Sequence, residues 1–285
     1  MTEDKKKEII KLVEKMPAFP KSVQRVLEMT SDINCSPREL VAVIEHDPVL
    51  VMKILKTVNS AYFGLASKIT SINHAVVYLG LNAVKNIALT TVTIGMLPRS
   101  NSAGFDTNGF LLHCILAATI SKLVAKKQRV PHEEIFDYFL TGLLHDIGKV
   151  VFLRFMPEKF KKALELAKDG KQPLHKIERK IIGIDHAQMG YFISARWNLP
   201  KTLGEAIRHH HDIIKTDSKK PLHTDYVYIA NQLCKKLQAG YSGNFFFQDM
   251  PNEMKERFGM GLDEIWAGLE DLDNEIEKSK NFSIM

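Results

Sequence analysis

The stretch FLTGLLHDIGKV, residues 139–150, decides how the rest of the sequence is interpreted. Its apolar residues recur at the spacing of an α-helix, which predicts a buried helix with an apolar face. The segment ends in an imidazole, a carboxylate and an ammonium group, at His145, Asp146 and Lys149. A buried carboxylate without a partner is costly. We therefore expect cations or hydrogen-bond donors from distant parts of the chain to converge on Asp146.

Helical patterns of the same kind run through the whole chain and predict an all-α fold. Several predicted helices begin at a capping residue, as at Ser36, Asp47 and Ser71, and those before residue 98 are short. The predicted helices span residues 3–15, 21–29, 40–44, 49–58, 71–80, 82–96, 109–126, 132–147, 157–168, 174–182, 185–196, 200–214, 223–239 and 261–279.

One segment, residues 98–108, is rich in Ser, Asn and Gly and is the best candidate for a domain boundary. It divides the chain into a helical part at 1–97 and a second helical part at 109–240, which carries the candidate site. The remaining residues, 241–285, predict a loop and a helix that pack on the second part. Three consecutive phenylalanines lie in the expected loop, which we expect to fold back on the core.

The overall composition is that of a soluble globular protein, with 45% hydrophobic and 25% charged residues. The 39 Lys and Arg exceed the 33 Asp and Glu, which gives a net charge of +6. The basic residues are better interpreted as solvated helix faces than as a nucleic-acid surface, because they are not interleaved with aromatic residues that would stack on bases.

The cysteines, Cys35, Cys114 and Cys234, are widely spaced and fit neither a disulfide framework nor a CxxC zinc site. This favours a reducing compartment. The lysine-rich N-terminus leads into an amphipathic segment rather than a signal peptide. No uninterrupted apolar run reaches the roughly 18 residues that span a bilayer. We therefore expect a cytoplasmic protein that does not bind membranes.

Histidines of the second half are the candidate partners of Asp146: His113, His186 and the run at 209–211. Neutral imidazole and carboxylate are ligands of zinc, iron, manganese and nickel. Each histidine also has a simpler explanation: His113 as a core residue, His186 as a helix cap, and the run 209–211 as a positive helix end that complements the helix dipole. An adjacent His-Asp pair at the end of an apolar helix has no packing explanation, and this favours a metal site.

Residues 142–149, GLLHDIGK, resemble the signature of the HD superfamily of metal-dependent phosphohydrolases. The other segments, taken in order, resemble the motifs of the HDOD domain, a signalling relative of the HD and HD-GYP families. This resemblance covers roughly residues 10–240. Its motifs are MPAFP at 16–20, DP at 47–48, NSAYFG at 59–64, INHA at 72–75, LG at 79–80, GIDHA at 183–187, WNLP at 197–200, AI at 206–207 and HH at 209–210.

The resemblance implies one or two divalent metal ions: iron, manganese, zinc or nickel. By position, it assigns as ligands His113, His145, Asp146, His186, His209, His210 and, weakly, Asn231. Asn231 stands where the family has an aspartate, and its amide offers a carbonyl oxygen without a charge. Two further features of HD-GYP enzymes are missing here: an acidic residue one turn before the first histidine, and a Gly-Tyr-Pro loop.

The resemblance implies a stand-alone bacterial signalling protein that acts through protein partners or a bound ligand, such as a phosphorylated small molecule or a nucleotide. The alternative is an active phosphohydrolase on a phosphate ester, a nucleotide or a cyclic dinucleotide. In that case Asp146 would bind metal and orient the nucleophile, and Lys149 would reach a phosphate oxygen as a point charge. Lys149 is equally explained as a surface lysine near a helix C-terminus.

Overall fold

The structure is a computed structural model that describes residues 3–18, 21–30, 36–60, 65, 67–98, 101–132, 134–212, 218, 220–269, 272 and 274–277. Every regular element within these residues is a helix, which confirms the all-α prediction. The helices are α1 (Glu3–Lys15), α2 (Lys21–Thr30), α3 (Pro37–Glu45), α4 (Pro48–Val58), α5 (Ile72–Leu79), α6 (Leu81–Ile94), α7 (Thr107–Lys127), α8 (Ile135–Leu144), α9 (Gly148–Phe155), α10 (Pro157–Ala167), α11 (Leu174–Ile181), α12 (His186–Arg196), α13 (Lys201–His209), α14 (His223–Leu237), α15 (Asn252–Phe258) and α16 (Leu262–Ala267).

Several helices begin at a residue whose side chain caps the first turn. The side chains of Ser36, Asp47, Ser71 and Asp106 each accept a hydrogen bond from a backbone N–H in the first turn of the following helix. These N–H groups have no partner within the helix, so the capping side chain satisfies them. The start signals at 36, 47 and 71 are therefore confirmed.

Helix α7 lies at the centre of the molecule and contributes to two groups of buried apolar side chains. Cys114 and Ala118 pack in the larger group, which extends from α1 to α13, whereas Leu116 and Ile120 pack with α14, α15 and α16. By length and composition α7 could cross a membrane, but 67% of its apolar window is buried inside the protein, as in a core helix. The larger group includes side chains from both sides of residues 98–108, so the two helical parts share one core.

Three predicted helices are wrong in extent, and α9 and α15 were not predicted. The helix expected at 200–214 ends at His209. The single helix expected at 132–147 ends at Leu144, and a second helix, α9, begins at Gly148 after a short turn. At the C-terminus, Gly268 ends α16, and the described residues 272 and 274–277 are helical again beyond it. The first break is a turn at residues 145–147, and the second lies at a glycine. The apolar period does not show either break.

The C-terminal helices are held to the core by a buried ion pair. Arg257 of α15 donates from Nε and one terminal nitrogen to Asp225 of α14, at 2.7 and 2.8 Å. The two side chains are 4% and 1% exposed. Asp225 also accepts from the backbone N–H of Leu222 and so caps its own helix. One carboxylate thus joins α14 to α15 and stabilises the start of α14.

We expect Arg257→Met to lower the free energy of unfolding by about 3–5 kcal/mol, because it leaves the Asp225 carboxylate buried without its partner. The matched control is Lys255→Met on the same helix, whose ion pair with Asp249 is 37% and 63% exposed and contributes less than about 1 kcal/mol. Urea unfolding measures both variants. Equal losses would contradict a special role for the buried pair.

Candidate metal centre

Two glycines of the segment GLLHDIGK lie at points where neighbouring helices approach the segment closely. A Cβ on Gly142 would lie 2.7 Å from the carbonyl oxygen of Ala117 in α7, and one on Gly148 would lie 2.0 Å from that of His186 in α12. Side-chain carbon atoms do not tolerate such distances to backbone, so only glycine fits here. The two glycines therefore let the helices carrying His113 and His186 pack directly against the turn that carries Asp146.

Five side chains surround the carboxylate of Asp146, which is itself fully buried, and none of the five is more than 2% exposed. Three of them lie near Oδ2: Lys149 Nζ at 2.6 Å, His145 Nε2 at 3.3 Å and His113 Nε2 at 3.5 Å. The other two lie near Oδ1: His186 Nε2 at 3.1 Å and His210 Nε2 at 3.6 Å. The sequence-predicted convergence on Asp146 is thus present in the structure.

Three of these imidazoles are oriented by an acceptor at the far side of the ring. In each case Nδ1 lies close to a carbonyl or carboxylate oxygen, to which it donates, so Nε2 of the ring faces Asp146. The pairs are His145 with the Gly142 carbonyl at 2.6 Å, His210 with the Ile207 carbonyl at 2.6 Å, and His186 with Glu178 at 2.5 Å. Metal-binding histidines are held in this way in proteins.

Two acceptor atoms inside the cluster lack a donor among the described residues. Asp146 Oδ1 and His210 Nε2 are buried and have no hydrogen-bond partner within the described part of the chain. Buried polar atoms are normally paired, so a carboxylate oxygen of this kind beside an imidazole nitrogen indicates a site that suits a cation. The donor set, imidazole nitrogen with carboxylate oxygen, is that of a transition-metal site.

Two sets of ligand atoms share Asp146. One set comprises His113, His145 and Asp146; the other comprises Asp146, His186, His210 and His211. Within each set the ligand atoms lie within 4.8 Å of one another. Because the first set approaches Oδ2 and the second approaches Oδ1, the carboxylate stands between two positions that could each hold an ion.

The protonation states also favour a cation. Burial opposes ionisation of Asp146, but the nearby imidazoles and the Lys149 ammonium hold its pKa well below the ordinary value. Burial likewise opposes a charge on His186, yet the carboxylates of Glu178 and Asp146 raise its pKa to about 9. The two carboxylates, Asp146 and Glu178, carry more negative charge than the Lys149 ammonium offsets, so the cluster attracts further positive charge, which a proton on His186 or a metal ion can supply.

Other rings of the cluster remain neutral. Burial lowers the pKa of His113 to about 4 and that of His210 to about 3. A neutral imidazole is the form that binds a metal ion, so at neutral pH these two rings need no deprotonation to serve as ligands.

The placement expected for His209 is wrong. Its side chain is 32% exposed and lies 3.5 Å from Glu205 and 3.3 Å from Asp212, on the surface. The buried face of α13 is formed by Leu203 and Ile207, and residue 210 continues that face at helical spacing. A shift of one position turns a side chain by about 100°, so His209 points away while His210 reaches the cluster.

Two residues at the site, His175 and Glu178, were missed, and His211 was considered only as a member of the run 209–211. His211 belongs to the second ligand set, with Nε2 2.7 Å from that of His186, and its ring stacks on His175 at 4.4 Å. Glu178 orients His186. The sequence holds a signal for Glu178, because it lies on the apolar face of α11 with Leu174 and Ile177, where a charged residue needs a buried partner.

Lys149 is a buried residue, which excludes its interpretation as a surface lysine. It is 1% exposed and donates both to Asp146 and, at 2.9 Å, to the backbone carbonyl of Ser242. Asn231 is 2% exposed, and its Oδ1 has no hydrogen-bond partner among the described residues. It lies on α14, which packs against α7, α8 and α13. That Asn231 is a metal ligand remains a prediction.

The fold and the cluster define an all-helical protein with a buried His/Asp centre that could hold metal ions. The sequence model of the HDOD domain matches residues 16–213. The chain therefore belongs to the HDOD family.

Known proteins share this architecture. A structure of an HDOD domain protein with unknown function from Geobacter sulfurreducens is 22% identical, with a TM-score of 0.78 over 98% of this chain and 96% of the other. A "Putative phosphohydrolase" from Shewanella amazonensis SB2B is 19% identical, with a TM-score of 0.72 over 97% and 98% of the two chains. A "Putative signal transduction protein" from Marinobacter aquaeolei VT8 is 18% identical, with a TM-score of 0.76 over 98% and 65%. These similarities establish a common fold.

A relative by sequence is an uncharacterized protein of Treponema pallidum (strain Nichols). It is 30% identical over 209 residues, which make up 70% of this chain and 38% of that protein. The chain therefore spans less than half of the length of this relative.

Proposed function

We propose that this protein is a cytoplasmic regulatory module that binds metal and acts through protein partners or a bound ligand rather than through hydrolysis. The observation that carries the proposal is the engagement of Lys149, the candidate phosphate-binding cation. Its ammonium donates to Asp146 and to the carbonyl of Ser242. A lysine held by two acceptors of the protein itself is less available to a substrate phosphate than an unpaired one.

The residue at position 231 supports the same proposal. Asn231 supplies a neutral oxygen where the enzymes of the superfamily supply a carboxylate. The cluster therefore has one carboxylate ligand, Asp146, because Glu178 is used to orient His186. A less negative ligand set binds a divalent ion more weakly and stabilises a hydrolytic transition state less well.

The metal is proposed to be one or two ions of iron, manganese, zinc or nickel. Imidazole-rich sites suit these ions, whereas magnesium and calcium prefer oxygen ligands. The first ion would be held by His113, His145 and Asp146, with Asn231 as a weak fourth ligand. The second would be held by Asp146, His186, His210 and His211.

The second candidate function is hydrolysis of a phosphate ester, a nucleotide or a cyclic dinucleotide. It is favoured by the shared carboxylate of Asp146, because two-metal hydrolases place such a group between their ions. It is also favoured by the name of the Shewanella amazonensis neighbour. When bound, the ions would supply Lewis acidity and make hydroxide available near neutral pH.

The experiment that separates the two functions combines metal analysis with a turnover assay. We expect purified wild-type protein to contain one of the four metals by elemental mass spectrometry, and not to cleave bis(p-nitrophenyl) phosphate or cyclic dinucleotides with added manganese or iron. Asn231→Asp is expected to increase metal affinity about tenfold, because it restores a charged ligand beside the ion. Asn231→Leu, which offers no oxygen, is the matched control.

Either of two results would overturn the proposal. Wild-type protein that stays metal-free after growth with added metals would remove the metal centre. Turnover by the wild type that disappears in Asp146→Ala would establish the hydrolase instead.

A further inference from the structure

A cavity of about 400 Å³ opens between the C-terminal half of α14 and the loop that follows it. Its wall includes His113 of the metal centre, Lys235 of α14, and the loop residues Tyr241, Asn244 and Phe245. The volume lies within the usual range for small-molecule sites. The cavity therefore offers room for a ligand beside the enclosed cluster.

The charge of this wall is basic. Its ten residues include Lys235 but no aspartate or glutamate, and the ring of His113 is neutral. The ammonium of Lys235 has no hydrogen bond or ion pair with any residue that the structure describes, whereas the neighbouring Lys236 pairs with Asp263. Burial, reinforced by the Lys149 ammonium, lowers the pKa of Lys235 to about 7. An anion in the cavity would supply the missing counter-charge.

The loop adds a hydrogen-bond donor and aromatic rings. Asn244 Oδ1 lies 3.3 Å from the backbone nitrogen of Leu174, which donates to it, so the side-chain NH₂ group is left to donate. Phe245 is 53% exposed, and its ring centroid lies 6.0 Å from that of Tyr241. A phenylalanine exposed at the edge of a cavity provides a flat apolar surface on which a ligand ring can stack.

The same loop is coupled to the metal centre. Ser242 lines the cavity, and its carbonyl accepts the hydrogen bond from Lys149, whose ammonium also holds Asp146. A ligand that moves this loop would therefore change the partner of the central carboxylate. This connection gives the occupant of the cavity a physical route to the cluster.

We propose that the cavity binds a small aromatic phosphate ester. Its phosphate group lies between Lys235 and the side-chain amide of Asn244, and its ring packs against Phe245 and Tyr241. This inference deepens the proposed regulatory function, on which it rests, because it names the class of the bound ligand.

The test uses isothermal titration calorimetry of the full chain with phenylphosphonate, which cannot be hydrolysed as an ester, and with inorganic phosphate. We expect phenylphosphonate to bind more tightly than phosphate. Lys235→Met is expected to weaken the binding of both by about tenfold or more, the size of one charge-assisted hydrogen bond. The matched control is Lys236→Met, which removes the same charge from the next position and is expected to leave both affinities unchanged.

A second pair of variants tests the ring contact on an exposed part of the loop, where folding is not at risk. Phe245→Ser is expected to weaken phenylphosphonate by roughly fivefold and to leave phosphate unchanged. Phe247→Ser, at a phenylalanine that is 45% exposed but outside the cavity wall, is expected to change neither.

The proposal is overturned if phenylphosphonate does not bind to metal-loaded wild-type protein, or if the two lysine variants weaken binding equally, since that result would indicate general attraction to surface charge. Metal content is measured on the same samples. If the wild type stays metal-free after growth with added metals but binds phenylphosphonate, the metal centre is overturned and the cavity is supported, so the two failures are distinguishable.

Discussion

Asp146→Ala is expected to abolish stoichiometric metal binding and to lower the free energy of unfolding by about 3–5 kcal/mol. The carboxylate is the point on which both ligand sets converge, so neither set is complete without it. Its loss also leaves the Lys149 ammonium, which is 1% exposed, with only the Ser242 carbonyl as a partner. Elemental analysis measures the metal content, and urea unfolding measures the stability.

Two further variants show which part of this loss arises from the buried charge. Asp146→Ala combined with Lys149→Met removes both members of the ion pair, and we expect it to recover part of the stability but none of the metal. Asp212→Ala is the control, because that carboxylate is 47% exposed beside His209 and is expected to contribute less than about 1 kcal/mol. A metal content in Asp146→Ala equal to that of the wild type would contradict the assignment of the centre.

Gly148→Ala is expected to have an effect of similar size, although the glycine carries no ligand atom. The added Cβ would lie 2.0 Å from the His186 carbonyl oxygen and 2.9 Å from the backbone nitrogen of Gly190, so α9 and α12 must separate. Overpacking typically costs about 1–3 kcal/mol and occasionally more, and a contact this close to backbone belongs at the upper end. The separation also moves His186 away from Asp146, so we expect the metal affinity to fall by about tenfold or more.

A control for this prediction is Gly261→Ala, since the nearest atom to a Cβ there is a carboxylate oxygen of Glu264, at the ordinary contact distance of 3.6 Å. We expect its unfolding free energy to match the wild type within about 0.5 kcal/mol. Differential scanning calorimetry and metal titration measure both variants. A Gly148→Ala protein with wild-type stability would show that the two helices are not in the close contact described.

Several features were predicted correctly because they depend on neighbours within one helical turn. The N-caps at Ser36, Asp47 and Ser71 each involve an oxygen and a backbone N–H three residues away, so the sequence contains both partners. The convergence on Asp146 was also predicted, since an acid at the end of an apolar helix requires cations or donors. Family resemblance then indicated which distant histidines to consider.

Other features could not be predicted in this way. The apolar pattern of residues 132–147 continues through the turn at 145–147 that separates α8 from α9, so periodicity does not reveal this break. Whether His209 or its neighbours His210 and His211 enter the cluster depends on which face of α13 is buried. The orienting role of Glu178 requires a contact between residues of two helices.

The sequence by itself determined that the protein is all-helical, where many of its helices begin, and that Asp146 needs charged partners, because capping, periodicity and burial of a charge act over a few residues. Only the tertiary structure decided which imidazoles face that carboxylate and that Lys149 binds the carbonyl of Ser242, 93 positions away in the chain. The physical reason is that the position of a residue within its helix sets the direction of its side chain. Which residue of another helix that side chain contacts depends on how the two helices pack.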